Sequence, residues 1–256
     1  MSANPIGIVD SGVGGLSVFL EIKKALPKEN IIYVGDQAFH PYSRKSKSVL
    51  EKRVGKLTEF LISRKIKVLV VACNTASCQV LPHLRSRFTL PIVGVIPAVK
   101  PASKIPNVSK IAILATGKTA KSDYLNNLVM KYAQSKRILK MNCNGLQEAI
   151  EDLDKARIAD LLATYAKRIK KFKADAVVLA CTHYSLLKDD IARMLNIAVI
   201  EPSPAIAKRV TSLIKLSNNE ENETKYFYFS TGNPNKFSKT ASDLLGFKII
   251  SEKANI

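Results

Sequence analysis

Two stretches of this chain nearly repeat one another, and they limit the possible fold more than any other feature. Residues 67–75 read KVLVVACNT, and residues 175–183 read DAVVLACTH. Each is a short run rich in β-branched residues that closes on Ala-Cys and then turns polar. An apolar run with no polar alternation belongs to a strand covered on both faces, as in a parallel sheet flanked by helices. In such sheets chemistry collects just past the carboxyl ends of the strands. The repeat therefore predicts Cys73 and Cys181 at equivalent strand ends, one in each half of the chain. Two thiols addressing one pocket suit a reaction that takes a proton from one face of a carbon and returns one to the other.

The rest of the chain keeps the same rhythm. Ile6–Val9, Ile31–Val34, Pro91–Val95, Lys110–Leu114, Ile138–Met141, Ala198–Ile200, Tyr226–Phe229 and Phe247–Ile250 read as further strands. Helical patterns lie between them: Gly15–Leu26, 76–87, 119–134, two over 145–172, 185–195, one ending near 216, and 235–245. Leu50, Val54, Leu57 and Leu61 recur at helical spacing and mark another. This alternation predicts an α/β protein of two similar αβα domains with mainly parallel sheets, pseudo-twofold related and facing a shared cleft. The expected domains are 1–97 with 208–256, carrying Asp10 and Cys73, and 98–207, carrying Cys181 and His183. Ser217–Glu223 reads as an exposed polar loop.

Composition excludes several classes. With 256 residues, 46% hydrophobic and 24% charged, the chain has the profile of a globular protein with ample core. Met1–Pro5 has no basic n-region and no apolar stretch, so no signal peptide is expected. No apolar run approaches the ~18 residues of a membrane span. The expected location is cytoplasmic, with Cys73, Cys78, Cys143 and Cys181 as thiols. No pair has CxxC spacing, so no metal site is expected. The formal charge of +19 points toward nucleic acid or an anionic surface. The lysines are scattered, however, and the densest run, Lys167–Lys173, falls on an amphipathic helix as a solvated face. A basic field would also attract an acidic substrate.

Asp10-Ser11-Gly12-Val13-Gly14-Gly15 follows the first strand and opens a helix. Its glycines permit a tight turn and its helix start favours anions, but the G-x-G-x-x-G spacing of a dinucleotide site is missing. Asp10 has two readings, a cap of that turn or a base partner for a nearby thiol. Ala115-Thr116-Gly117-Lys118-Thr119 resembles the end of a P-loop, yet Ala112 stands where the motif needs glycine, so nucleotide hydrolysis is rejected. Its hydroxyls would instead suit a carboxylate. His183, one of three histidines, lies two residues past Cys181, where an imidazole can hold a thiol's proton. Cys78, inside a helix, and Cys143, at a strand end without polar partners, read as structural.

Four motifs in order, Asp10–Gly15, Cys73-Asn74-Thr75-Ala76, Gly94–Ala98 and Cys181-Thr182-His183-Tyr184, resemble those of the glutamate racemases, and the likeness runs from residue 6 to about 247. Related aspartate racemases share the paired cysteines but usually carry Glu where this chain has His183. The resemblance implies a cofactor-independent isomerase that interconverts L- and D-glutamate and supplies D-glutamate for peptidoglycan, cell-wall biogenesis and cell shape. It implies that Cys73, assisted by Asp10, acts on the D-isomer's α-proton and that Cys181, assisted by His183, acts on the L-isomer's, with Glu151 a further acidic residue near the second thiol. Asp10, Ser11, Pro41, Tyr42, Ser43, Asn74, Thr75, Thr119, Thr182 and His183 match substrate-binding positions. A homodimer is implied, and some family members bind DNA gyrase. The chain departs from the family pattern at Ser43 and Ala180 (each usually Gly), at Ser185 (usually Pro), in the order Thr116-Gly117-Lys118-Thr119, and at Asn144–Gln147. The rival readings are racemisation of aspartate or another amino acid and, in a different class, a basic protein that binds nucleic acid or gyrase.

Overall fold

A computed structural model describes residues 4–214 and 224–256. The expected polar loop at Ser217–Glu223 and the expected helix end near 216 lie outside the described residues. The chain divides into two compact units, Met1–Val95 with Ser203–Ile256, and Ile96–Pro202. The return to the first unit falls ahead of a helix beginning at Ser203, whereas the expected boundary, 207/208, would have cut that helix.

The first unit opens with β1 (Ile6–Asp10), α1 (Leu16–Ala25) and β2 (Ile31–Gly35). Two 3-10 turns follow, Gln37–Phe39 and Tyr42–Arg44, then α2 (Lys47–Ile62), β3 (Val68–Val71), α3 (Asn74–Arg87) and β4 (Ile92–Gly94). The second unit holds α4 (Val99–Ser103), β5 (Lys110–Ala115), α5 (Gly117–Ala120), α6 (Asp123–Tyr132) and β6 (Arg137–Asn142). It continues through α7 (Leu146–Glu151), α8 (Lys155–Phe172), β7 (Ala176–Ala180), α9 (Thr182–Ser185), α10 (Lys188–Leu195) and β8 (Ala198–Ile200). The chain then returns to the first unit with α11 (Ser203–Thr211), β9 (Tyr226–Ser230), α12 (Pro234–Leu245) and β10 (Ser251–Lys253).

The first sheet has the order β10-β9-β2-β1-β3-β4 and the second β6-β5-β7-β8. Every neighbouring pair runs parallel. In the first sheet the chain leaves β1 to form β2 on one side and comes back to form β3 on the other. The second sheet repeats this around β5, with β6 and β7. Open α/β sheets bind ligands past the carboxyl ends of strands at such a reversal. Asp10 and Cys73 flank the first reversal; Thr116 and Cys181 flank the second.

Burial explains why these runs became strands. Every residue of β1, β3 and β7 is buried, as unbroken apolar runs require. Ser46 starts α2 by accepting the Val49 N–H, and Leu50, Val54, Leu57 and Leu61 then pack on Val9, Val34, Leu69 and Val71. Each such buried side chain is worth about 1.5–3 kcal/mol. In the second unit Ile111, Ile113 and Ala115 share a core with Val99, Ala102 and Leu125. Leu114, on the opposite face of β5, lines a small cavity with Leu162, Ile169, Ile191 and Leu195 of α8 and α10.

Three expectations about elements need correction. The helix expected over 119–134 is two helices, because Ser122 turns its hydroxyl to the Leu125 N–H and starts α6 afresh. The helix expected over 185–195 starts later, at Lys188, and a separate short helix precedes it. Leu186 and Leu187 donate to carbonyls only three residues back, His183 and Tyr184, which closes α9 before α10 begins. Phe247–Ile250 is not a strand. Gly246 ends α12 in the left-handed region at φ 73°, and the Ser242 hydroxyl accepts the Ile249 N–H, so sheet pairing begins at Ser251.

Candidate active site

In the first unit, Asp10 ends β1 fully buried, and its Oδ1 accepts the Gly12 N–H at 2.9 Å. The carboxylate thus caps the glycine turn. Tyr33 on β2 donates to the Gly12 carbonyl at 2.6 Å and fixes the turn from the side. Position 15 must be glycine: a Cβ there would lie 2.6 Å from Asp10 Cβ and 2.8 Å from the Tyr33 hydroxyl. Ser11 is buried in the same turn.

Cys73 stands immediately before α3 in extended conformation, and its thiol makes no capping hydrogen bond to the helix. The N-terminus of a helix favours negative charge. Asn74 and Thr75 open α3 and are buried. Both polar atoms of the Asn74 amide, Oδ1 and Nδ2, are buried without a hydrogen-bond partner among the described residues. An orphaned buried amide costs roughly 1–3 kcal/mol, so a polar group that could fill this gap would be held firmly. Tyr42 packs in the same core as Cys73, and Pro41 leads into its 3-10 turn, which also holds Ser43. Burial and then the charge of Asp36 push the Tyr42 hydroxyl well above its ordinary range, so it acts as a donor.

In the second unit, β7 delivers Cys181 to the start of α9, again with no capping bond from the thiol. His183 and Thr182 are buried on that helix. His183 Nδ1 lies 3.9 Å from Cys181 Sγ, while Nε2 lies 2.7 Å from Glu151 Oε1 at the end of α7. Burial alone would lower the imidazole's affinity for a proton. Its contacts with Cys181 and Glu151 outweigh that and hold it well above the usual histidine range. The next residue, Tyr184, donates to the Cys143 carbonyl at 2.8 Å, and Tyr165 of α8 donates to the Asn144 carbonyl at 3.0 Å. His183 and Tyr184 therefore grip the two ends of the segment 143–151. Thr119 is buried against Thr116, whose hydroxyl lies 3.1 Å away and starts α5.

Cys143 proves better connected than its sequence suggested. Its backbone donates to Ala115 and accepts from Tyr184, and burial pushes its thiol up to about 12. None of the four cysteines is disulfide-bonded.

The family model for Asp/Glu/Hydantoin racemase matches residues 6–210. The chain belongs to this racemase family. The glutamate racemase of Vibrio vulnificus (strain YJ016) is 39% identical over 232 residues, spanning 89% of this chain and 88% of its own. Among solved structures, glutamate racemase isoform RacE1 from Bacillus anthracis superposes with a TM-score of 0.89 at 30% identity, covering 99% of this chain and 98% of its own. Glutamate racemase from Francisella tularensis, solved with D-glutamate, gives 0.85 at 27% identity and covers 100% of this chain and 98% of its own. The protein is thus an α/β amino-acid racemase, with two parallel sheets of six and four strands among the described residues.

Within this racemase, Asp10, Ser11, Pro41, Tyr42, Ser43, Cys73, Asn74 and Thr75 lie in the first unit, and Thr119, Glu151, Cys181, Thr182 and His183 in the second. The direct chain Cys181–His183–Glu151 joins three of them. Sequence reasoning missed a buried cluster around Asp36, which follows β2. Its carboxylate accepts from Arg53 Nε at 3.0 and 3.1 Å and Nη2 at 2.6 Å, from the Thr231 hydroxyl at 2.6 Å, and from the Tyr42 hydroxyl at 2.7 Å. A signal was present: Gly35-Asp36 closes a buried strand as Asp10 does.

Proposed function

We propose that the protein interconverts L- and D-glutamate without a cofactor, by a two-base proton transfer. Cys73 exchanges the α-proton of the D-isomer and Cys181 that of the L-isomer. The observation that carries this reading is the buried chain from Cys181 Sγ through His183 to Glu151. An ordinary thiol with a pKa of about 8.5 is only a few per cent thiolate at neutral pH, so a proton-abstracting cysteine needs an acceptor beside it. The 3.9 Å approach of His183 Nδ1 to the sulfur supports the imidazole as that acceptor, and in this scheme Glu151 fixes the ring through Nε2 and balances the imidazolium charge. Asp10 would serve Cys73 in the same way.

The harder problem is the carbanion, because negative charge must collect on the α-carboxylate. Fixed hydrogen-bond donors directed at that charge supply the main stabilisation in such reactions. The unsatisfied Asn74 amide supports a role in holding the amino-acid head group, joined by Ser11, Thr75, Thr119, Thr182 and the Pro41–Ser43 turn. In this scheme each thiol exchanges hydrogen with one face of the stereocentre. The D-glutamate held by the Francisella tularensis racemase supports glutamate as substrate. D-glutamate for peptidoglycan, action as a homodimer and a cytoplasmic location belong to the same reading.

Circular dichroism of L-glutamate incubated with the protein and no added cofactor tests it. The signal should decay to zero as the racemate forms, with aspartate turned over far more slowly. Cys73→Ala and Cys181→Ala should each abolish racemisation. Near-normal turnover in either variant would refute the two-base scheme, and faster aspartate turnover would refute the substrate assignment.

A further inference from the structure

We propose that the buried Asp36–Arg53 pair is a positioning device that sets substrate affinity by anchoring the Pro41–Ser43 turn. The inference rests on the glutamate reading for its kinetic readout. Asp36 is fully buried, and its donors come from α2, from the turn itself and from the residue after β9. The anchoring reaches along the whole segment. The Thr231 hydroxyl that donates to Asp36 also accepts the Ala38 N–H at 3.2 Å, and the neighbouring Ser230 hydroxyl donates to Gln37 Oε1 at 3.1 Å. The Asp36 N–H donates to the Asp10 carbonyl at 2.8 Å, tying the same cluster to the end of β1.

A buried ion pair is a poor way to gain stability, since its desolvation opposes the attraction and an apolar replacement is often no worse. What a fully satisfied buried network does supply is a unique geometry for the chain it holds. Here the chain held is the stretch from Asp36 to Tyr42. The Tyr42 hydroxyl is committed to Asp36, so the turn must meet substrate through backbone groups and Ser43, and those are only as well placed as the turn.

Removing Arg53 would strand a buried carboxylate and risk misfolding, so the test uses Thr231→Val and Thr231→Ala, each of which deletes the Thr231 donor outside the turn. The expected result is a rise in KM of about tenfold for both glutamate enantiomers, with kcat within about twofold. Amide hydrogen exchange should quicken in residues 37–45 and stay unchanged elsewhere in the first unit. Thr231→Ser, which keeps the hydroxyl, should restore both. Unchanged KM and exchange in both variants would overturn the proposal. So would a fall in kcat at constant KM, or faster exchange throughout the unit. If the unaltered protein does not racemise glutamate, the functional reading fails on its own. The exchange measurement then decides the anchor: local quickening supports it and unchanged exchange overturns it.

Discussion

Replacing His183 by glutamine separates the two bonds that its imidazole makes. Glutamine carries an N–H at a reach similar to Nε2, so it can still donate to Glu151, 2.7 Å from Nε2 in the native structure. It offers no base in place of Nδ1, 3.9 Å from Cys181 Sγ. An ordinary thiol is about 3% ionised at pH 7, so losing the proton acceptor alone costs about 2 kcal/mol, roughly 30-fold. Positioned acid-base groups contribute roughly 10²–10⁴-fold. The expected loss in kcat is therefore on the order of 10²–10³, with KM within about threefold and thermal stability nearly unchanged. Enantiomers have equal free energies, so kcat/KM must fall equally in the two directions. Asymmetry shows instead in the isotope effects. α-Deuterated L-glutamate should give a larger primary effect than with the native protein, and α-deuterated D-glutamate a smaller one, because the step at Cys181 becomes limiting. A kcat within threefold of native would refute the reasoning. So would an isotope effect that grows for the D-isomer instead.

Glu151→Gln should change how stability depends on pH. The contacts that raise His183 include Glu151, and the folded value lies above the unfolded 6.5. The stabilisation is therefore complete below about pH 6.5 and fades as pH rises through the folded value. Urea unfolding from pH 6 to 10 should show the native protein's advantage over Glu151→Gln largest at pH 6 and shrinking above it; an advantage that is flat or grows with pH would contradict this. Cys143, with its thiol held at about 12 and fully buried, should resist alkylation at pH 8 in the folded protein. Cys143→Ala should keep kcat within about threefold and lose about 1 kcal/mol of stability in denaturant titration. Loss of turnover in a folded Cys143→Ala protein would show that this thiol takes part in the chemistry.

Local pattern carried most of the fold. The runs ending at Cys73 and Cys181 were legible because a strand buried on both faces must be apolar throughout, and each parallel sheet gathers the carboxyl ends of its own strands at one edge. The same logic misled at Phe247–Ile250, which is apolar enough for a strand. There the Ser242 hydroxyl, a tertiary contact, takes the Ile249 N–H and delays pairing until Ser251. Ser122 divided a helix that apolar spacing joined, since a hydroxyl can cap as readily as it can sit mid-helix. The Asp36 cluster was out of reach for a different reason. Its donors stand at Tyr42, Arg53 and Thr231, and nothing local couples positions separated by as much as 195 residues. His183 beside Cys181 was visible as a neighbour in sequence; its bond to Glu151, 32 residues away, rests on how β7 and α7 are arranged within one unit.

Whether each sulfur trades its own hydrogen with the stereocentre is read most directly by running L-glutamate in heavy water and stopping at low conversion. Mass spectrometry of the separated enantiomers should find deuterium at the α-carbon of nearly all the D-glutamate, while the recovered L-glutamate keeps its protium. Equal deuterium in both at the earliest times would mean one base serving both faces, and would contradict the assignment of Cys73 and Cys181 to opposite isomers.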